Sequence, residues 1–117
     1  MREITTHEVP ELGPTMTLTA LDENGPGGAP HAYRIDWRTG SVTIAFQRGP
    51  RGETSNNGVL EPALIAMLID RLQHFERGPY PSPETTRARE HLQAALDELH
   101  ARVRDRLARG VMGQSKG

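Results

Sequence analysis

The first half of the chain alternates apolar and polar side chains with the period of two that marks a β-strand with one buried face. The alternation occurs in residues 15–21, 31–37 and 41–47. Residues 22–30 contain five glycines and prolines among nine positions, so we expect a loop there. Only residues 38–40 separate the last two segments, and a connection that short joins antiparallel strands. The pattern therefore predicts a small antiparallel sheet of about three strands.

The second half of the chain shows two helical periods. The first has Pro62 in its first turn and stops at Gly78, and the second starts at the N-cap Ser82 and closes at Gly110. A short connector between two amphipathic helices predicts an antiparallel helical hairpin. The first apolar series is Leu60, Leu64, Met67, Leu68, Leu72 and Phe75, with Arg71 among them; the second is Ala88, Leu92, Ala95, Leu96, Leu99, Val103 and Leu107.

These elements place the chain in the α+β class, with a sheet followed by a helical hairpin. We expect residues 1–57 to form the β-sheet region with a polar linker, residues 58–110 to form the hairpin, and residues 111–117 to form a flexible tail. A chain of 117 residues has room for one modest core. Hydrophobic residues make up only 35% of it, so self-assembly or a partner would help to complete that core.

Charge and composition exclude several classes of function. Fourteen Lys and Arg against fifteen Asp and Glu exclude a global electrostatic grip on DNA, RNA or an anionic membrane. The absence of cysteine excludes disulfides, thiol catalysis and thiolate metal sites. The chain has neither an apolar run of membrane-spanning length nor an apolar signal core at its start, so we expect a soluble, intracellular protein.

Catalytic and metal-binding motifs are missing from the chain. It lacks the GxSxG, HExxH, phosphate-loop and GxGxxG patterns, and no two of its five histidines have metal-ligand spacing beside a carboxylate. Asp70 and His74 form an i, i+4 pair that could act in acid–base work, although such pairs are usually solvated helix contacts. The sequence therefore predicts no catalytic residue, no metal and no cofactor.

Two arginines of the second helix are better placed for binding. On a helical wheel centred on Leu92, Arg106 lies about 40° and Arg102 about 80° from the centre of the apolar face. Two guanidinium groups one turn apart can each bind the non-bridging oxygens of a diphosphate in bidentate fashion. The alternative is that both extend along the surface and share Glu98 and Asp105 as partners.

Phe75 ends the apolar series of the first helix, just before the hairpin connection. An aromatic side chain at such a position is usually part of the core. The alternative is a stacking platform for a nucleobase, which requires only one accessible ring face. Together with the two arginines, this alternative indicates a pocket for a phosphorylated nucleotide.

Several blocks occur in order along the chain and form one signature: Phe46–Pro50, Asn57–Val59, Asp70–Phe75, Gly78-Pro79 and Ala108–Gly113. With this signature the chain resembles a family of phage proteins, the Thoeris anti-defence sponges, which share their helical hairpin with the anti-CBASS sponges. The resemblance covers about residues 31–115 and implies a non-enzymatic protein. Such a protein binds cyclic ADP-ribose isomers made by TIR-domain proteins and holds them intact, in the cytoplasm of the infected bacterial host. It also implies a homo-oligomer, a dimer that can build a hexamer, with pockets between protomers.

The resemblance also implies the residues that bind the ligand. An aromatic residue at the position of Phe75 and an asparagine ten residues later hold the adenine in the family, and this chain has Thr85 at the later position. Two arginines that grip the phosphates fall on Arg102 and Arg106. An arginine of the linker also contributes; Arg48 or Arg51 would match, and we favour Arg51.

Two other functions are compatible with the residues. An anti-CBASS-type sponge would bind cyclic di- or trinucleotides through the same hairpin. The second, trinucleotide site of some family members uses a Gly-Thr-His ending, and Gly113-Gln114-Ser115 replaces it here, so we do not expect that site. A small hydrolase of cyclic nucleotides would use Asp70 and His74.

Overall fold

The structure is a computed structural model that describes residues 1–49 and 56–110. It confirms the α+β class, with an antiparallel sheet followed by two helices. Arg51 and the expected tail, residues 111–117, lie outside the described residues. The elements in chain order are β1 (Arg2–Ile4), β2 (Thr17–Ala20), β3 (Ala32–Trp37), β4 (Gly40–Ala45), α1 (Glu61–Glu76) and α2 (Pro83–Ala108).

The sheet has four strands in the order β1-β2-β3-β4, and every neighbouring pair is antiparallel. The three predicted strands are present, and β1 is an additional strand that the sequence pattern did not predict. It has three residues, pairing Arg2 with Ala20 and Ile4 with Leu18. So short a segment has no alternation of its own to detect, and its strand character comes from the pairing partner.

The strand registers place the apolar side chains of the sheet on one face. Ile4, Leu18, Ile35 and Val42 form one row across the four strands, and Ala20, Tyr33 and Ile44 form the next row. Tyr33 meets Phe46 edge-on, with 5.6 Å between ring centroids. Ala20 is buried, whereas Val42 and Trp37 each expose more than two fifths of their surface.

The signals that begin and end the helices work as predicted. Ser82 is extended, and its Oγ accepts a hydrogen bond from the Thr85 amide at 3.1 Å, which caps α2. At the other end, Gly110 has a φ of 73° and its amide donates to the Leu107 carbonyl, which is a left-handed helix termination. In α1, proline stands in the first turn as expected.

The face that α1 packs against α2 differs from the predicted apolar series. Ile69, which the series omits, is the buried residue of α1, while Met67, Leu68 and Phe75 of the series are about half exposed. In α2 the leucines of the series from 92 to 99 and Val103 are half-buried, and Leu107 is exposed. α1 is apolar around most of its circumference, so its sequence does not by itself select one buried face.

The contacts divide the chain after Val59 into two compact units, the sheet unit and the helical hairpin. A parallel bridge between Phe46 and Val59 brings together the two ends of the linker within the sheet unit. Across residues 1–49 and 56–110, no helix is long and apolar enough to cross a membrane.

Candidate functional site

A cleft of about 360 Å³ lies at the closed end of the hairpin, where α1 turns into α2. We call it the turn cleft. It brings together Phe75 and Thr85, two predicted site residues that belong to different helices. The residues that line it are His74, Phe75, Gly78, Pro79, Tyr80 and Thr85.

The turn cleft is formed by a tight helix termination. The Arg77 amide donates to the carbonyls of Gln73 and His74, and the Gly78 amide donates to the Phe75 carbonyl at 3.1 Å. A Cβ on Gly78 would lie 3.3 Å from the His74 carbonyl oxygen, so glycine permits this close approach of the turn to the helix end.

Phe75 is part of the cleft wall and lies outside the core of its own chain. The side chain is 48% exposed, and the Arg71 guanidinium lies over its ring at 5.3 Å from the centroid. This cation–π contact restrains the ring and occupies one of its faces. The interpretation of Phe75 as a core residue is therefore wrong within the described residues.

Thr85 is held in place by the helix cap. Its hydroxyl oxygen accepts a hydrogen bond from Ser82 Oγ at 2.9 Å, and its amide donates to the same Ser82 oxygen. A hydroxyl carries one proton, so the proton of the Thr85 hydroxyl is left for another acceptor. The N-cap thereby orients a donor at the wall of the turn cleft.

An ion pair between the two helices supports the turn cleft. Arg89 Nε donates to both carboxylate oxygens of Glu76, at 2.7 and 2.9 Å, and both side chains are about three quarters buried. Glu76 follows Phe75, and Arg89 lies one turn after Thr85. The pair therefore fixes the distance between the two helices beside the cleft.

Two lining residues of the turn cleft are missing from the sequence prediction. Tyr80 is 89% exposed and adds a second aromatic ring, and His74 adds an imidazole. The sequence signal for Tyr80 is an aromatic residue inside a short connection rich in glycine and proline, where an aromatic side chain is not expected to be buried. In the sequence, His74 is a candidate only as half of an i, i+4 pair with Asp70.

The pair of Asp70 and His74 is an exposed contact on α1. Their Oδ2 and Nδ1 atoms are 3.6 Å apart, and each side chain is about two thirds exposed. His74 Nδ1 also lies 2.8 Å from the backbone carbonyl oxygen of Asp70. In the part of the chain that the structure describes, no group of three or more His, Asp and Glu residues could hold a metal ion.

The structure places Arg102 and Arg106 near the other end of α2. Arg102 is exposed and, within residues 1–49 and 56–110, forms no hydrogen bond or ion pair; Arg106 is half-buried. Asp105, one of the two alternative partners of these arginines, pairs with Arg109 at 2.9 Å. Thr85 and Arg102 are 17 positions apart in one helix, which corresponds to about 26 Å along its axis.

Arg48, one of two candidate arginines of the linker, is held by its own chain. Its Nη1 lies 3.6 Å from Asp22 Oδ2, and its backbone amide and carbonyl both bond to the Asn57 side chain, at 2.7 and 2.9 Å. The amide of Ala32 donates to Asp22 and lowers the pKa of that carboxyl group. Arg51, the favoured candidate, lies outside the described residues.

Comparison with known proteins identifies a relative from a phage. Over 72 residues, or 62% of this chain, it is 42% identical to the protein named Thoeris anti-defense 1 of Bacillus phage SBSphiJ7. The chain spans about half the length of that relative, 51%. No protein-family model matches the chain.

Proposed function

Since the chain belongs to the Thoeris anti-defence family, we propose that it is a phage sponge for cyclic ADP-ribose isomers made by TIR-domain proteins. It binds these signals in the cytoplasm of the infected bacterium and holds them without cleavage. The defence effector is then deprived of its activator. The proposal assigns adenine binding to Phe75 and Thr85 and diphosphate binding to Arg102, Arg106 and Arg51.

The observation that supports this function best is the turn cleft. Phe75 provides a half-exposed ring that Arg71 restrains on one face, and a nucleobase can stack on the accessible remainder. Thr85 provides an oriented hydroxyl at the same cleft. A cleft with aromatic walls and few polar groups suits a flat heterocycle with a small number of hydrogen-bonding positions.

The diphosphate is bound by arginines of another copy of the chain. Arg102 is about 26 Å from the turn cleft along α2, far more than the length of one cyclic nucleotide, so the two groups of one chain cannot share a ligand. The turn cleft of one protomer therefore meets the arginines of its partner. Half-exposed apolar residues on both units, among them Val42 and Met67, support assembly into dimers that build a hexamer.

Sequestration of this kind requires tight binding and slow release, with no chemical step. Side chains that are already ordered before binding lower the entropic cost of binding, and the capped Thr85 and the restrained Phe75 ring are of this kind. Most differences in affinity between related sites appear in the dissociation rate. We therefore expect tight binding here to show as a long residence time of the ligand.

The test is to load the protein with the product of an active TIR-domain protein, remove unbound ligand, denature the protein by heat and chromatograph the released material. Intact cyclic ADP-ribose isomer in stoichiometric amount supports the proposal. Release of linear ADP-ribose indicates hydrolysis, with Asp70 and His74 as the first residues to substitute. The absence of any captured ligand overturns the proposed function.

A parallel titration separates the two classes of sponge. The hairpin contains the turn cleft and both arginines. Because an anti-CBASS-type sponge would bind its ligands through the same hairpin, cyclic di- and trinucleotides are the alternative ligands. We expect cyclic ADP-ribose isomers to bind and the cyclic oligonucleotides to show no saturable binding at the same protein concentration. The reverse result would assign the protein to the anti-CBASS type.

A further inference from the structure

We propose that His74 determines the base specificity of the turn cleft, by accepting a hydrogen bond from the exocyclic amine of adenine through Nε2. This inference rests on the proposed function and adds the contact that distinguishes adenine from other purines. His74 lines the cleft beside Phe75, and none of the binding roles assigned above involves it.

The hydrogen bond to Asp70 fixes which imidazole nitrogen carries the proton. His74 Nδ1 lies 2.8 Å from the Asp70 carbonyl oxygen, which can only accept, so Nδ1 is the protonated nitrogen in this bond. The Asp70 carboxylate, 3.6 Å from the same nitrogen, favours a proton there as well. In the neutral imidazole, Nε2 is therefore an acceptor whose direction is set by the helix.

The position of His74 on the helix suits contact with the edge of a stacked base. Residues 74 and 75 are neighbours in α1, about 100° apart around its axis, so the imidazole stands to the side of the phenyl ring. A base that stacks on Phe75 presents its edge, and not its face, to such a neighbour. Hydrogen bonds to bases are made at the edge.

The other polar groups of the turn cleft complement this acceptor. Thr85 has a hydroxyl proton to donate, because its oxygen already accepts from Ser82. Tyr80 also has a hydroxyl, but it is 89% exposed in the connection and has no partner that fixes it among the described residues. The cleft thus offers one oriented acceptor, His74, and one oriented donor, Thr85.

This pair of groups matches adenine and opposes a 6-oxo purine. Adenine has an exocyclic amine that donates and ring nitrogens that accept. Hypoxanthine has a carbonyl oxygen in place of the amine, so two acceptors would face each other and Nε2 would lose its partner. An unmet hydrogen bond in a binding cleft lowers the affinity by roughly fivefold to 150-fold.

The experiment compares a cyclic ADP-ribose isomer with the same isomer made from the hypoxanthine analogue of NAD. Both ligands are titrated into the wild-type protein, His74→Phe, His74→Gln and His91→Phe at mildly alkaline pH, where free imidazole is neutral. Wild type should prefer the adenine ligand by about tenfold or more. The preference should fall below about twofold in His74→Phe and persist in part in His74→Gln, whose amide oxygen can accept.

His91→Phe is the matched control, since it makes the same change at an exposed position of α2 that does not line the cleft. It should retain the wild-type preference. An undiminished preference in His74→Phe, or equal wild-type affinities for the two ligands, would overturn the inference and leave the sponge function intact. Failure of the wild-type protein to bind either ligand would instead overturn the proposed function.

Discussion

The two ends of the helical hairpin present their candidate binding residues in different ways. At the closed end, three side chains have partners in their own chain: Arg71 lies over Phe75, Ser82 bonds to Thr85, and Arg89 pairs with Glu76. Towards the open end, Arg102 is exposed and has no polar partner in the described part of the chain.

Under the proposed function, this difference indicates how one short chain holds a cyclic ADP-ribose isomer. The proposed base-binding half is held by hydrogen bonds and a ring contact within the hairpin, before any ligand binds. In the proposed phosphate-binding half, Arg102 is exposed, and we expect an anion or a second chain to order its side chain. Under the proposed function, the two halves meet when protomers assemble.

Mixing two inactive variants gives the largest expected effect. Phe75→Ala and the double variant Arg102→Ala/Arg106→Ala should each lose binding, and co-refolding them in equal amounts should restore it. In a dimer with shared pockets, the mixed species has one pocket with both wild-type halves, so about one quarter of all pockets recover. Calorimetric stoichiometry measures the recovery.

The control for this experiment is each variant refolded alone at the total protein concentration of the mixture. If ligand binding recovers only in the mixture, the pocket is built from two chains. If the mixture stays inactive although chromatography shows mixed oligomers, the two halves do not share a ligand.

Single substitutions of the arginines should give the next largest effect. Arg102→Ala or Arg106→Ala should each weaken binding by more than about tenfold, since a charge-assisted bidentate contact is lost. Assembly should persist, as measured by light scattering. Arg104→Ala is the matched control, because Arg104 is exposed on the same helix about 120° from the centre of its apolar face. Unchanged calorimetric affinity in both single variants would reject the assignment.

Loss of the interhelical ion pair should destabilise the closed end specifically. Arg89→Ala leaves the Glu76 carboxylate without its partner and should lower the free energy of unfolding by about 1–3 kcal/mol. Arg87→Ala removes an exposed pair with Glu84 and should cost less than about 0.5 kcal/mol. Urea unfolding followed by the helical circular dichroism signal compares them. Equal losses would show that the pair does not support the cleft.

Acid should weaken the sheet unit in a way that leaves both ends of the hairpin unaffected. The pKa of Asp22 is lowered below its ordinary value of 3.8, chiefly by the Ala32 amide, so its contribution is full above 3.8 and is lost as pH falls through the folded-state pKa. Asp22→Asn should therefore be less stable than wild type at neutral pH, and the difference should vanish in strong acid. Fluorescence of Trp37, the single tryptophan, reports unfolding of the sheet.

Local signals made the elements of this fold predictable. The series Ser82-Pro83-Glu84 fixed the start of α2, and Gly110 fixed its end, because caps depend on a few neighbouring residues. The strand β1 was missed because three residues carry no period, and its partner Ala20 lies far along the chain. Pairing between distant segments is a tertiary property.

The candidate site was predictable only in part, for the same reason. An aromatic residue before a helix stop and an arginine pair on a wheel can be seen in the sequence, and Phe75 and Thr85 line one cleft in the structure. The roles of all five predicted site residues stay predictions. Tyr80 and His74 were not predicted as site residues because their place in the cleft with Thr85 depends on how the connection brings the two helices together, which no periodicity shows.

The amino-acid sequence by itself determined the class of the fold, the limits of its helices and the residue types available for binding. Each of these depends on interactions between residues within a few positions of one another. The tertiary structure decided which apolar residue of α1 is buried, Ile69, and which polar groups are left for a ligand. Those outcomes depend on packing between separate helices and strands, where several faces of one segment compete and only the assembled fold selects among them.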